Sequence, residues 1–151
     1  MIVKNLRYTR ENLGLKQKDL TSLFNVTYST ISGWETGKDT IPLRQLIKYA
    51  NKYNFSLDYL FGLTNINKQY LPLEINLDII SKNLINIRKQ KKKTQEQIAK
   101  VLNTSSGGYA HYDNSRYLIP TNFIYNLAIY YKNFSIDEVL GRIESKEKVH
   151  N

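Results

Sequence analysis

The sequence predicts an all-α protein made of two tandem five-helix units. Apolar residues recur at helical spacing along most of its 151 residues, and no long segment alternates apolar and polar residues as a strand would. The second half also repeats the first, since a shift of 78 residues places Leu6 on Leu84 and a shift of 79 places Asp58 on Asp137. Ordered matches over two whole segments indicate an internal duplication, with one residue inserted near Lys132.

The first repeat covers residues 1–64 and divides into five helical segments at its capping and turn residues. Gly14 ends the first helix, and the apolar residues that follow it predict a short second helix. Thr27 is expected to cap a third helix that ends at Gly37. A longer fourth helix follows, and Ser56 caps the fifth. Apolar residues on one face of each helix predict a small core.

The second repeat covers residues 78–143 and follows the same pattern, with a capping box, TQEQ, at residues 94–97. Residues 65–77 predict a linker because they are largely polar and contain Pro72. An extended linker of this length would span roughly 45–50 Å, so its reach would not restrict where the second repeat lies. Residues 144–151 are mostly charged and predict a flexible tail.

Composition favours a nucleic-acid partner and excludes several kinds of site. The 22 Lys and Arg residues outnumber the 13 Asp and Glu residues, and the formal net charge of +9 attracts polyanions. A generally basic, soluble protein is the alternative explanation of this charge. The sequence contains no Cys, which excludes disulfides, thiolate metal sites and cysteine nucleophiles. No apolar run is long enough for a membrane span, so we expect a cytoplasmic protein without a membrane partner.

Both repeats contain short segments with a characteristic pattern. In the first repeat they are residues 17–20 (QKDL), 26–38 (VTYSTISGWETGK), 41–42 (IP) and 56–62 (SLDYLFG). In the second repeat they are residues 94–99 (TQEQIA), 118–120 (LIP) and 135–137 (SID). These segments resemble the Xre-type, lambda-repressor-like helix-turn-helix family of transcriptional regulators, and the resemblance covers nearly all of the first repeat and parts of the second. It implies two tandem five-helix lambda-repressor-like helix-turn-helix domains.

The resemblance also implies that the third helix of each domain enters the DNA major groove. Physical reasons favour the same role, because a helix fits that groove and short polar side chains at its start can bond to base edges. In the first repeat, Ile31 and Trp34 are expected to anchor this helix inward. An exposed face without a function is the alternative. The predicted base-reading residues are Thr27, Tyr28, Ser29, Ser32 and Gly33, followed in the second repeat by Ser105, Ser106 and His111.

Two adjacent glycines, Gly107 and Gly108, interrupt the reading helix of the second repeat. Each costs a helix about 1 kcal/mol relative to alanine, and neither presents a side chain. Three interpretations stay open. The second repeat contributes phosphate contacts only, lets its backbone approach DNA closely, or serves as a dimerisation or effector module.

Four further residues are predicted to contact DNA phosphates. Gln17 and Gln95 begin the second helix of each repeat, where free backbone amides also favour an anion. The family that the sequence resembles uses its matching glutamine in this way. Lys38 and Arg116 lie just past each third helix and can reach the DNA backbone. A solvated charge is the alternative for these two basic residues.

Two pairs of opposite charge recur at matching positions, Arg10 with Glu35 and Arg88 with Asp113. The resemblance implies that each forms an internal ion pair between the first helix and the end of the third. We therefore assign these residues mainly to structure, although Arg10 can still present one edge to a phosphate.

These observations predict a sequence-specific, double-stranded DNA-binding transcriptional regulator of bacterial or phage type, acting as a repressor. Its expected partner is a DNA operator, and a homodimer of tandem chains or a regulatory protein partner stays open. The alternative function is a protein-interaction module, antitoxin-like or an inhibitor, that keeps the helix-turn-helix fold, especially through the second domain. The sequence shows no nucleophile with a base, metal cluster or phosphate loop, so we expect neither an enzyme nor a cofactor or metal site.

Overall fold

In a computed structural model that describes residues 1–145, the chain folds into ten α-helices and one 3-10 helix. In the first repeat, α1 (Leu6–Asn12) is followed by the 3-10 helix (Gln17–Leu20), α2 (Thr21–Phe24), α3 (Tyr28–Thr36), α4 (Leu43–Tyr53) and α5 (Leu57–Leu60). The second repeat contains α6 (Leu77–Gln90), α7 (Gln95–Val101), α8 (Ser106–Asp113), α9 (Thr121–Tyr131) and α10 (Ile136–Val139). The described residues form one isolated β-bridge and no strand, which confirms the all-α prediction. None of the helices within residues 1–145 is long and apolar enough to cross a membrane.

Capping residues explain where several helices begin and end. Gly37 ends α3 with a left-handed backbone, φ 84°, which glycine adopts without strain. At the start of α5, Ser56 Oγ accepts a hydrogen bond from Tyr59 N at 2.9 Å. In the predicted capping box, Thr94 Oγ1 accepts from Gln97 N at 3.1 Å, and Gln97 Oε1 accepts from Thr94 N at 2.9 Å. These three sequence predictions are confirmed.

Thr27 is the N-cap residue of α3, as predicted, but its side chain makes no capping hydrogen bond. Thr27 does precede α3, but its hydroxyl lies 3.0 Å from the Ser29 hydroxyl and 3.3 Å from the Thr30 hydroxyl, and it accepts no bond from a backbone amide. The matching Ser105 does cap α8, since its Oγ accepts from Gly108 N at 3.0 Å. The first turn of α3 therefore keeps backbone N–H groups for another acceptor.

Each repeat buries the apolar faces of its helices around aromatic side chains. In the first repeat, Phe24 meets Trp34 edge to face with ring centroids 5.2 Å apart, and Tyr49 is fully buried beside Phe24. In the second repeat, Tyr109 and Tyr131 are buried. Burying a large apolar side chain is worth about 1.5–3 kcal/mol. This packing holds α3 and α8 in fixed positions on their bundles.

The two repeats pack against each other, and their buried residues form one continuous cluster. Phe61, just after α5, stacks on Tyr125 of α9 with ring centroids 5.7 Å apart. The matching segments 40–44 and 118–122 together line a groove. Contacts between equivalent parts of two copies are typical of an approximate two-fold arrangement.

The predicted linker lies against the helices instead of extending into solvent. Asn51 of α4 holds Leu73 through two hydrogen bonds, from Nδ2 to Leu73 O at 2.9 Å and from Leu73 N to Oδ1 at 2.8 Å. Tyr70 is buried and forms the isolated antiparallel bridge with Glu144. The segment between the repeats is therefore held in place by hydrogen bonds to its neighbours.

Two predicted boundaries also shift. Helix α6 begins at Leu77, inside the segment 65–77 that we assigned to the linker. Ser145 N donates to Gln69 O at 3.0 Å, beside the bridge at Glu144, so the first residues of the predicted tail 144–151 are held by the linker. The rest of that predicted tail, residues 146–151, lies outside the described residues.

Candidate nucleic-acid interface

Helix α3 presents a polar surface because its apolar side chains face the core. Ile31 and Trp34 are only 1% and 4% exposed, and they fix the helix in its bundle. At its N-terminal end, Thr27, Tyr28 and Ser29 are exposed, and Tyr28 is 63% exposed. The structure therefore brings three of the predicted base-reading residues together at one accessible helix end.

Gly33 does not share this surface. Ser32 remains partly exposed, but Gly33 is buried, and its carbonyl oxygen accepts a hydrogen bond from Asp39 N at 3.1 Å. A Cβ added at Gly33 would lie 3.1 Å from Asp39 Oδ2. The turn after α3 therefore covers Gly33, and the predicted contact of Gly33 with DNA stays a prediction.

A buried ion pair ties the end of α3 to α1. Arg10 donates from Nε to Glu35 Oε2 at 2.6 Å and from Nη2 to Oε1 at 2.8 Å, and both residues are 7% exposed. Burial acts to raise the pKa of Glu35, but hydrogen bonds from Arg10 and Gln17 outweigh it and hold that pKa below its usual value. The hydrogen bond to Glu35 likewise raises the pKa of Arg10. The pair is therefore charged, and it orients α3 relative to α1.

Gln17 takes part in this network as well. Its Nε2 donates to Glu35 Oε1 at 3.0 Å, so the side-chain amide turns inward. The residue is partly exposed at the start of the 3-10 helix. A primary amide carries two N–H donors, and one of them remains for a phosphate oxygen. The phosphate contact of Gln17 stays a prediction.

Residues 6–60 match the helix-turn-helix family. They form a helix-turn-helix domain. Over 66 residues the chain is 30% identical to the HTH-type transcriptional regulator ImmR of Bacillus subtilis (strain 168). That match covers 44% of this chain and 52% of the relative, so the chain spans about half the length of the curated relative that it matches. No solved structure matches the chain.

Outside this helix-turn-helix domain, the second repeat builds a weaker version of the same network. Arg88 Nε donates to Asp113 Oδ2 at 3.1 Å, and Gln95 Nε2 donates to the same oxygen at 3.1 Å. Asp113 is one methylene shorter than Glu35. Its Oδ1 has no hydrogen-bond partner among the described residues, and neither does the buried Tyr109 hydroxyl. The shorter carboxylate thus uses one oxygen where Glu35 uses both.

Helix α8 offers fewer side chains than α3 at the matching surface. Ser106 and Gly107 are exposed, and open space surrounds Gly107. His111 is partly exposed and lies between two neighbours, with Nδ1 3.4 Å from Arg116 Nη1 and its ring centroid 5.2 Å from that of Tyr117. The surface of α8 that matches the start of α3 therefore carries short side chains and a glycine, and His111 contacts Arg116 and Tyr117.

The two predicted phosphate-binding cations, Lys38 and Arg116, are exposed just after α3 and α8. A different group of residues, Asp58, Asp137 and Arg142, lies at the junction of the repeats, and their contacts were not predicted from the sequence. The match of Asp58 to Asp137 was visible as a mark of the duplication. Their contacts depend on how the repeats pack, and no local signal reveals that.

Proposed function

We propose that this chain is a sequence-specific, double-stranded DNA-binding transcription regulator that acts as a repressor. The observation that carries the proposal is the exposed, polar start of α3 within the matched helix-turn-helix domain, held by the buried Ile31 and Trp34. A helix presented in this way fits the major groove. The similarity to a relative named as a transcriptional regulator supports the same class of function. We assign repression because a bundle bound over an operator excludes other proteins from it.

Base contacts in this proposal come from the first turns of α3. Thr27, Tyr28 and Ser29 offer hydroxyl groups and a methyl group to base edges, and Ser32 adds a hydroxyl one turn further on. These groups read sequence through their geometry, whereas contacts to phosphates fix only register and orientation. We therefore assign most base discrimination to the first repeat.

Phosphate contacts supply much of the affinity. We assign them to Lys38 and Arg116, which are exposed, and to the remaining amide hydrogens of Gln17 and Gln95. The net charge of +9 adds a sequence-independent attraction. Binding is therefore expected to weaken steeply as the salt concentration rises.

The second repeat supplies a looser half of the same interface. Its candidates for base contact are Ser105 and Ser106, which are exposed, and His111, which is partly exposed. Helix-turn-helix proteins read two half-sites about 34 Å apart, one turn of the DNA, through two symmetry-related helices. The contact between the matching segments 40–44 and 118–122 supports such a reading by one chain.

Selection of binding sites from random duplex DNA by the purified chain tests this proposal. We expect enrichment of an asymmetric site with one well-defined half and one looser half. Scrambled duplexes of the same length and composition serve as the control, and titration at several salt concentrations measures the phosphate contribution. If the chain prefers no duplex over its scrambled control, it is not a sequence-specific DNA-binding protein.

An antitoxin-like or inhibitor role through the second repeat is the second candidate function. Helix α9 exposes Ile129 and Tyr130, by 53% and 38%, where the matching positions of α4 carry Asn51 and Lys52. Exposed apolar groups that replace polar ones favour a protein-contact surface. A variant with I129N and Y130K should keep its DNA selection if DNA binding is the function. Loss of selection by a folded variant would instead indicate that protein contacts through α9 are required.

A further inference from the structure

We propose that Asp58 and Asp137 lock the two repeats in one orientation and thereby set the spacing between the DNA half-sites that the chain accepts. The proposal rests on the proposed function, since half-site spacing matters only to a chain that binds DNA through both repeats. Both aspartates lie at the junction and belong to neither reading helix. They are therefore positioning residues that act through the placement of α3 and α8.

Asp137 caps a helix of the opposite repeat. Its Oδ1 accepts from Leu57 N at 2.8 Å and its Oδ2 accepts from Asp58 N at 2.9 Å, the first two amides of α5. The first amides of a helix have no partner within it, and a charged acceptor bonds them more strongly than a neutral one. Asp137 is fully buried, so water does not compete for these bonds.

Asp58 makes the reciprocal contact. Its Oδ1 accepts from Ile136 N at 2.7 Å, the first amide of α10, and its Oδ2 accepts from Ser135 Oγ at 2.6 Å. Each aspartate thus belongs to one four-residue helix and caps the other. Because the two pairs of bonds run in opposed directions, α5 and α10 cannot slide or rotate past each other without breaking some of them.

Arg142 strengthens one side of this junction. Its Nη1 donates to Asp137 Oδ1 at 2.9 Å and to Phe55 O at 2.8 Å, and its guanidinium lies 5.1 Å from the centroid of the Tyr70 ring. One side chain therefore joins the second repeat, the first repeat and the linker. The matching residue of the first repeat is Leu63, so Asp58 receives no equivalent support.

The linker does not set the spacing in this structure. The Asn51–Leu73 bonds and the Tyr70–Glu144 bridge fold it back against the helices. A released linker would span roughly 45–50 Å, more than the half-site separation of about 34 Å, and would permit many spacings. The capped junction permits a single spacing between the half-sites.

Distance measurements without DNA test the lock itself. The chain contains no Cys, so spin labels at S29C on α3 and S106C on α8 need no prior removal of native thiols. We expect a narrow distance distribution in the otherwise native chain and a broad one when D58N and D137N are combined. E138Q, which alters an exposed carboxylate beside Asp137, is the matched control and should stay narrow. A narrow distribution in the double variant overturns the proposal, whether or not the chain binds DNA.

Duplexes with the selected half-sites moved apart by about 5 base pairs, half a helical turn, test the consequence. The native chain should bind the shifted duplex about 10-fold more weakly than the selected one or worse, and the double variant should show a smaller ratio. A Gly-Ser pair inserted after Asn65 should leave the ratio unchanged. Equal ratios in the native chain and the double variant contradict the proposal, whereas a native chain that binds no duplex contradicts the proposed function.

Folding of these variants is checked by circular dichroism and thermal melting. If the double variant does not melt cooperatively, D58N and D137N are measured singly, since each keeps one of the two caps. Each single variant should then give a broader distance distribution and a smaller spacing ratio than the native chain, whereas E138Q and the linker insertion should match the native chain. Values beyond both controls support the lock, and values equal to them overturn it.

Discussion

At the scale of single residues, two carboxylates in matching positions differ because their side chains differ in length. Glu35 takes two hydrogen bonds from Arg10 and one from Gln17, which engage both of its oxygens. Asp113 receives its bonds through one oxygen. The carboxylate of Glu35 is therefore better satisfied than that of Asp113. Removal of Arg10 breaks two hydrogen bonds to its carboxylate, whereas removal of Arg88 breaks one.

Arg10→Ala is expected to lower stability more than it alters base preference. The substitution leaves Glu35, which is 7% exposed, without its counter-charge, and breaking a buried pair in this way costs about 3–5 kcal/mol. The matched variant Arg88→Ala should lose less. Thermal and urea unfolding measure both losses. An unchanged melting temperature together with lost DNA binding would instead assign Arg10 to the DNA surface.

Protonation of Asp58 is expected to raise the free energy of unfolding as the pH falls from about 7 to about 5. Burial, assisted by the charge of Asp137, raises the pKa of Asp58 to about 6, and hydrogen bonds from Ser135 and Ile136 oppose that rise. An unfolded aspartate has a pKa of about 3.9, so the folded chain binds this proton where the unfolded chain does not. The resulting stabilisation is complete below about pH 4 and is lost as the pH rises through about 6.

Urea unfolding of the native chain and of Asp58→Asn at about pH 5 and about pH 7 tests this titration, because the substitution removes one carboxyl from the facing Asp58–Asp137 pair. The native chain should gain stability relative to the variant as the pH falls. If the two free energies of unfolding change in parallel, Asp58 does not titrate in this range.

At the scale of helices, local sequence predicted several helix ends correctly. Features that depend on tertiary contacts were not predicted. Gly37 and the capping box at residues 94–97 depend only on their own neighbourhood, and both were predicted correctly. Thr27 is the N-cap of α3 as predicted, but its hydroxyl lies against those of Ser29 and Thr30 and not against a backbone amide. Gly33 was expected on the exposed face of α3 but is buried, because the chain folds back over it. Helical periodicity does not reveal such a contact.

Ser29→Ala is expected to relax base preference in the half-site read by α3. A good base contact contributes about 1–3 kcal/mol of discrimination, and Ser29 is exposed at the helix end that enters the groove in our proposal. Ser106→Ala, at a matching exposed place on α8, should change preference less because Gly107 and Gly108 leave few side chains there. Binding to single-base variants of the selected duplex measures both. Equal losses would show that α8 reads bases as fully as α3.

At the scale of the whole molecule, the sequence predicted a duplication, but it did not predict how the two halves of the chain pack. A polar segment containing Pro72 indicated a linker, but the sequence did not show that the amide of Asn51 and the bridge to Glu144 hold it in place. The side chains that bind the repeats together, Asp58 and Asp137, matched each other in the alignment without revealing that each caps the opposite helix. Contacts between distant segments carry no local periodicity, so pattern analysis does not find them.

One chain is expected to bind one operator, because the junction already pairs two repeats within the chain. Helix-turn-helix dimers read two half-sites through two subunits, and in our proposal the second repeat takes the place of the partner subunit. Tethering raises the effective concentration of the second repeat once the first has bound. Since α3 and α8 carry different residues, the site should be asymmetric.

The mass of the complex on its selected duplex and the length of its footprint check this stoichiometry. We expect one chain per duplex and protection of two half-sites about one helical turn apart. A homodimer of tandem chains would protect a longer site with two-fold symmetry, because an isologous interface imposes its symmetry on the DNA. Two chains on a perfect palindrome, with α8 off the DNA, would contradict the single-chain arrangement. That result would assign the second repeat to dimerisation.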